Sequence, residues 1–136
     1  MPLDEPTAWI RDAMPLCATL GVEAAPAGPD EVALALDWAP HLCTSNGVLH
    51  GGVLMALAGS AGAACAVLHL PEGATGTSTI ESGTHFLGRV TEGRVTATSR
   101  ILHAGRTTIV VETELRSDAD RLVGKVTQTQ AVLRAG

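Results

Sequence analysis

Between residues 31 and 38 the chain alternates. Val32, Leu34, Leu36 and Trp38 fall on one side, and Ala33, Ala35 and Asp37 on the other. A period of two predicts a half-buried strand. Residues 46–70 read NGVLHGGVLMALAGSAGAACAVLHL and carry no Asp, Glu, Lys or Arg. The glycine pair Gly51-Gly52 followed by Leu54, Met55, Ala56, Leu57 and Ala58 predicts a loop opening into a helix over about residues 51–69. That helix is apolar on every side, so other elements must wrap it. From residue 75 to 134 the pattern returns to alternation, rich in Thr and Val, and predicts strands over 75–88, 94–103, 106–116 and 122–134. The short turns between the last three make them antiparallel hairpin neighbours.

The start of the chain adds a short helix over about residues 6–20, with Trp9, Ile10, Ala13 and Leu16-Cys17 near helical spacing. Pro15 breaks or kinks it, and Gly21 ends it. Residues 22–25 begin a strand and residues 26–30 a turn. The resulting order is helix, two strands, long helix, four strands. It predicts one α+β domain over 1–136, with an antiparallel sheet wrapped around one long central helix.

Composition narrows the reading. The chain has 136 residues, 46% of them hydrophobic, yet only Trp9, Trp38 and Phe86 are aromatic. The core therefore rests on aliphatics and alanine. So much small apolar surface in a short chain suggests cover by a second subunit. A net charge of −5 argues against nucleic acid as a partner. The charge is uneven: nine acidic residues and one basic residue precede position 89, and eight basic and five acidic residues follow. Arg89, Arg94, Arg100 and Arg106 are read either as solvated strand faces or as a basic patch for a phosphorylated ligand.

Cys17, Cys43 and Cys65 show no CxxC spacing and read as small core residues in a reducing compartment, which suits the cytoplasm. The start, Met1-Pro2-Leu3-Asp4-Glu5, lacks the order of a signal peptide. The apolar run of residues 53–68 is rejected as a membrane span, because it is rich in Gly and Ala, has no flanking basic cluster and precedes amphipathic strands. The five histidines show no ligand spacing, so no metal and no cofactor are expected. Ala58-Gly59-Ser60-Ala61-Gly62 misses the G-x-S-x-G nucleophile elbow because it lies within a helical pattern.

Glycines at a helix start let a ligand approach amides that have no partner inside the helix. Such amides can hold an oxygen that gains negative charge. With this device in place, the string Asn46-Gly47-Val48-Leu49-His50-Gly51-Gly52, the Phe86-Leu87 pair and His103-Ala104-Gly105-Arg106 together resemble the hotdog-fold thioesterases, specifically the PaaI-like acyl-CoA thioesterase group. The match runs from about Trp9 to Leu133.

The resemblance implies a site between two subunits, in a dimer or a tetramer. The amides of Gly51 and Gly52 would hold the thioester carbonyl. A carboxylate on the partner's central helix, nine residues after the histidine, would activate water or attack the thioester. In this chain that position is Gly59. Thr79 matches a hydroxyl that some members place near the thioester. Glu81, two residues on, would share its side if the period of two holds; it is otherwise a salt bridge or a subunit contact. Ser60 is a further candidate for substrate contact, although one residue turns a helix by about 100°. His50 orients substrate or fixes the glycine loop. Asn46 touches substrate or forms an ordinary Asn-Gly turn. Arg89, His103, Gly105 and Arg106 would receive the nucleotide end of coenzyme A, with Gly88 where the family's usual basic residue stands and Arg89 displaced by one. Small helix residues such as Ala56, Ala63 and Ala64 would line the acyl tunnel. The expected function is acyl-CoA thioester hydrolysis, weakened or altered at Gly59; the alternative is an acyl-CoA or acyl-ligand binding protein without turnover, and after it an oligomer scaffold.

Overall fold

Strand β2 (Glu31–Asp37) shows first how the chain packs. The computed structural model describes residues 4–136; residues 1–3, on which part of the leader reading rests, lie outside it. The order is α1 (Pro6–Ala13), α2 (Pro15–Leu20), β1 (Glu23–Ala25), β2, α3 (Gly51–Val67), β3 (Ala74–Phe86), β4 (Arg94–Ala104), β5 (Thr108–Ser117) and β6 (Leu122–Arg134). All six strands pair antiparallel in one sheet of order β1-β2-β4-β5-β6-β3. One face packs on α3, which gives the expected α+β architecture.

The predicted N-terminal helix is two helices. Met14 leaves helical geometry ahead of Pro15, whose ring disfavours the helical region for its predecessor. Gly21 ends α2 at φ 71°, in the left-handed region that suits glycine. Strand β2 is not half-buried. Val32 to Leu36 are all buried, and Trp38 falls outside the strand. Val32, Leu34 and Leu36 join the core around α3. Ala33 and Ala35 face outward, paired with Thr98 and Thr96, and lie between the charged pairs of that face. Arg94 there bonds Glu23 and Asp37 at 3.1 and 3.0 Å. Arg100 bonds Glu31 and lies near Glu112 and Glu114. The Arg100 guanidinium holds the Glu31 carboxyl below the usual range, with the Gly28 amide adding to it. Arg116 does the same for Glu114. Arg94 and Arg100 are therefore committed to carboxylates, and the basic-patch reading fails for both.

Helix α3 is apolar all round, but the chain covers only one side of it. Leu54, Leu57, Ala58, Ala61, Gly62, Ala64, Cys65 and Ala66 are buried. Gly52, Met55, Gly59, Ala63 and Val67 recur at helical spacing on the other side, with Met55 at 41% and Val67 at 38% exposure. Strand β3 is likewise a thirteen-residue sheet edge with exposed Ile80, and Phe86 and Leu87 are exposed at its end. A long exposed edge beside an apolar stripe invites pairing with another chain. Cys17 and Cys65 are buried and Cys43 half-buried, all three as free thiols. Burial pushes the Cys65 thiol up to about 11, so it serves as packing. No helix among the described residues is long and apolar enough to cross a membrane.

The buried face carries a polar thread. Gln128 Nε2 donates to Ala58 O at 3.2 Å, and Gln130 Nε2 donates to Gln128 Oε1 at 2.6 Å and to Thr79 Oγ1 at 2.7 Å. Both glutamines are 1% exposed. The thread crosses α3 because Gly62 has no side chain: a Cβ there would lie 1.9 Å from Gln128 Nε2. Gly62→Ala is expected to expel that amide from its bonds and leave buried groups unpaired, at about 1–3 kcal/mol. Thermal or urea unfolding measures the loss, and an unchanged midpoint would show that the thread is not needed.

Candidate active site

The loop ahead of α3 is shaped to present the helix start. Asn46 and Gly47 both adopt left-handed backbone, at φ 66° and 71°. Asn tolerates this region better than most residues, so the turn accounts for Asn46. Its side chain is exposed. Trp38 Nε1 donates to Gly47 O at 2.9 Å, and Cys43 bridges Leu49. His50 then caps the helix: its Nδ1 accepts from the Gly52 amide at 2.8 Å.

That bond changes the expected amide pair. The Gly52 N–H is held by His50 and is not free to hold a carbonyl. The Gly51 N–H has no acceptor among the described residues. Gly51 lies against the Phe86 ring, which a Cβ would approach to 3.0 Å. A cap by the His50 ring and a close approach by Phe86 thus account for both glycines.

Further along α3, a Cβ added to Gly59 would meet nothing within 4 Å. Ser60, beside it, donates its hydroxyl to Ala56 O at 2.8 Å, so the hydroxyl is engaged within the helix. Thr79 sits on the face of β3 that carries the glutamine thread. Its oxygen accepts from Gln130, which leaves its O–H to donate and gives it no base.

Glu81 does not share that face. Thr79 pairs with Gln130 and Glu81 with Thr129, with a bulge at the intervening Ile80. The extra residue breaks the period of two and turns Glu81 to the outer side. The other sheet carboxylates, Glu23, Glu31, Asp37, Glu112 and Glu114, also lie on that outer side by register. Among the described strand residues, no carboxylate shares the inner face with Thr79.

Two separations fix what one chain can assemble. Gly51 and Gly59 are eight residues apart on the helix, about 12 Å. Phe86, which touches Gly51, is seven residues from Thr79 along β3, roughly 20 Å even with the bulge. One chain cannot bring Gly51 and Thr79 to the same atom.

The proposed nucleotide-end residues divide in the same way. His103, Gly105 and Arg106 lie at the β4–β5 turn, where Gly105 N donates to Thr108 O at 2.8 Å and Arg134 bonds Arg106 O at 3.1 Å. The His103 ring rests over Gly105, whose Cβ would come within 2.6 Å of Nε2. Arg89 lies at the other end of the sheet, about 30 Å away by the length of β4. There it lines a cleft of about 450 Å³ with Glu92, Ser117, Asp118 and Arg121. Arg121 Nη2 donates to Arg89 O at 2.8 Å. Gln128, Gln130 and Arg121 were not singled out from the sequence. The two glutamines had a signal, since they occupy positions that the alternation of β6 assigns to the apolar face.

Comparison with known proteins identifies the family. Residues 46–124 match the model of the thioesterase superfamily. An esterase-named protein of Mycobacterium tuberculosis is 29% identical over 126 residues, covering 91% of this chain and 90% of its own length. Its structure superposes with a TM-score of 0.84 at 28% identity, covering 90% of this chain and 99% of that one. A thioesterase of Haemophilus influenzae superposes with a TM-score of 0.83 at 27% identity, covering 92% and 90%. An esterase-named protein of Bacillus subtilis is 36% identical over 91 residues, covering 65% of this chain and 70% of its own length.

Proposed function

The chain belongs to the thioesterase superfamily and has its hotdog fold, and from that premise we propose that it is a PaaI-like hydrolase of coenzyme A thioesters whose site forms between two copies. The observation that carries this reading is the Gly51 amide, without an acceptor among the described residues, at the head of an apolar helix whose uncovered stripe runs through Gly59.

Two such helices packed antiparallel about an axis near Met55, the exposed midpoint, bring Gly51 of each beside the Gly59 position of the other. The β3 edge offers the same two-fold. This geometry supports a dimer, and pairing two such dimers would give a tetramer. The Gly51 N–H then donates to the thioester oxygen. Water attacks the carbonyl carbon, the C–S bond breaks, and a carboxylic acid and the free thiol leave. A single well-placed donor is worth roughly 3–4 kcal/mol in the transition state. Thr79 donates from the partner strand to the water or the carbonyl. The outward Glu81 no longer supplies a base, so the reaction runs on electrostatic stabilisation alone and is slow. Arg89 from one subunit, and Arg106 from another, remain the cations offered to the nucleotide phosphates.

The test is release of free thiol from a panel of acyl-CoAs by the purified protein. No release above buffer at any chain length would overturn hydrolysis. The open space at Gly59 favours one other reading, an acyl-CoA binding protein without turnover. It requires thermal stabilisation by coenzyme A esters with no thiol released.

A further inference from the structure

The polar thread across α3 has a direction. Ala58 O can only accept, so Gln128 must turn its NH2 group toward it. That leaves Gln128 Oε1 facing Gln130, where again only a donor fits. Gln130 Nε2 gives one proton there and its second to Thr79 Oγ1. Turning over either amide would set like groups against each other. Both glutamines are buried, so bulk water does not compete. A helix carbonyl thus dictates, through two amides, that Thr79 accepts from Gln130 and directs its own proton elsewhere.

Stability does not account for this device. Val126 and Val132 flank the glutamines on the same face of β6. Apolar residues of similar shape at 128 and 130 would bury no amide and need no glycine at 62. Thr79, where the thread ends, is exposed in the single chain. The thread begins at Ala58, beside the Gly59 position that the antiparallel pair sets against the partner's Gly51.

We propose that Gln128 and Gln130 are positioning residues that make Thr79 a fixed donor to the thioester oxygen. The oxyanion site then has two donors, one from each copy: the Gly51 N–H and the partner's Thr79 O–H. The inference rests on the thioesterase reading for the identity of the ligand. A hydroxyl that accepts from an amide gives an attacking water no base, but it suits an oxygen that gains negative charge. It stands in for the Gly52 N–H, which His50 withholds.

The test uses Thr79→Val, Gln130→Met and the double variant, each checked for folding by its unfolding midpoint. In thiol release from hexanoyl-CoA, Thr79→Val is expected to lower kcat about 10²-fold, the scale of one oxyanion donor, with KM little changed. Gln130→Met lowers kcat at least about threefold, since an unheld hydroxyl divides its proton among three staggered positions. The double variant is no slower than Thr79→Val, because Gln130 acts through that hydroxyl; independent losses would multiply. Binding gives a readout without turnover. The ketone analogue of hexanoyl-CoA, with a methylene between sulfur and carbonyl, is compared with heptyl-CoA, which lacks the carbonyl. The ketone is expected to bind about two- to tenfold tighter, the net worth of one hydrogen bond, and each variant reduces that margin. NMR of the Gln130 side-chain amide needs no Gln130 variant: one of its two protons shifts on Thr79→Val. Losses that multiply, a ketone margin untouched by the variants, or an unmoved Gln130 amide would overturn the assignment. A margin that the variants remove, without thiol release from the unaltered protein, sinks the hydrolase reading alone. Thiol release with a kcat and a margin indifferent to Thr79→Val sinks the donor assignment alone.

Discussion

Gly59→Asp is expected to raise acyl-CoA hydrolysis by about 10²–10⁴-fold, the usual contribution of a positioned general base. In the proposed antiparallel pair, the backbone at residue 59 stands opposite the partner's Gly51, where a carboxylate would reach the attacking water. A new side chain there meets no atom within 4 Å of its Cβ. Gly and Asp are both poor helix formers, so the exchange leaves the helix nearly neutral. The Asp carboxylate would face the partner's Gly51 amide across the pair, close enough to take a proton from water as it attacks. Gly59→Asn is the control: it has the same shape and hydrogen-bonding reach but no base. Rates are compared at saturating and at low substrate, so that a change in binding is separated from a change in chemistry. If Asp and Asn give equal rates, the two helices do not meet as proposed.

Gly51→Pro is expected to cut the rate by about 10²–10³-fold relative to Gly51→Ala, the loss seen when one oxyanion donor is removed. The comparison removes the amide hydrogen and puts the proline ring in its place. Gly51 is the first helical residue, the position where proline is best tolerated. Its predecessor His50, at φ −61° and ψ 133°, already has the extended backbone that precedes a proline. Both variants push a Cβ against the Phe86 ring, so that strain cancels in the ratio. Only the proline lacks the amide proton. Equal rates for the two variants would remove Gly51 from the mechanism and with it the observation on which the functional reading rests.

Part of the candidate site was legible because its signals are local. A glycine pair ahead of uncharged helix formers locates the head of α3, and backbone chemistry alone says that amides there lack partners. Local pattern also placed Thr79 on a strand. It misplaced Glu81, because periodicity counts residues and one unpaired residue, Ile80, reverses every face that follows. It offered Gly52 as a second donor, because no spacing rule shows the His50 ring folding back onto that amide. It grouped Arg89 with Arg106, seventeen positions apart, although the length of β4 sends them to opposite ends of the sheet.

Apart from the break of the N-terminal helix at Met14, the sequence by itself determined the elements, their order, the antiparallel hairpins and the one uncharged helix, since propensity, turn chemistry and hydrophobic period act over a few residues. Tertiary structure alone decided what those elements expose. Helix α3 is equally apolar on all sides, so nothing in its composition says which side the sheet covers. Only packing leaves the stripe through Met55 and Gly59 bare. Only packing threads Gln128 past Gly62. Each of these depends on which distant residues share a face, and that is fixed by strand pairing between segments far apart in the chain.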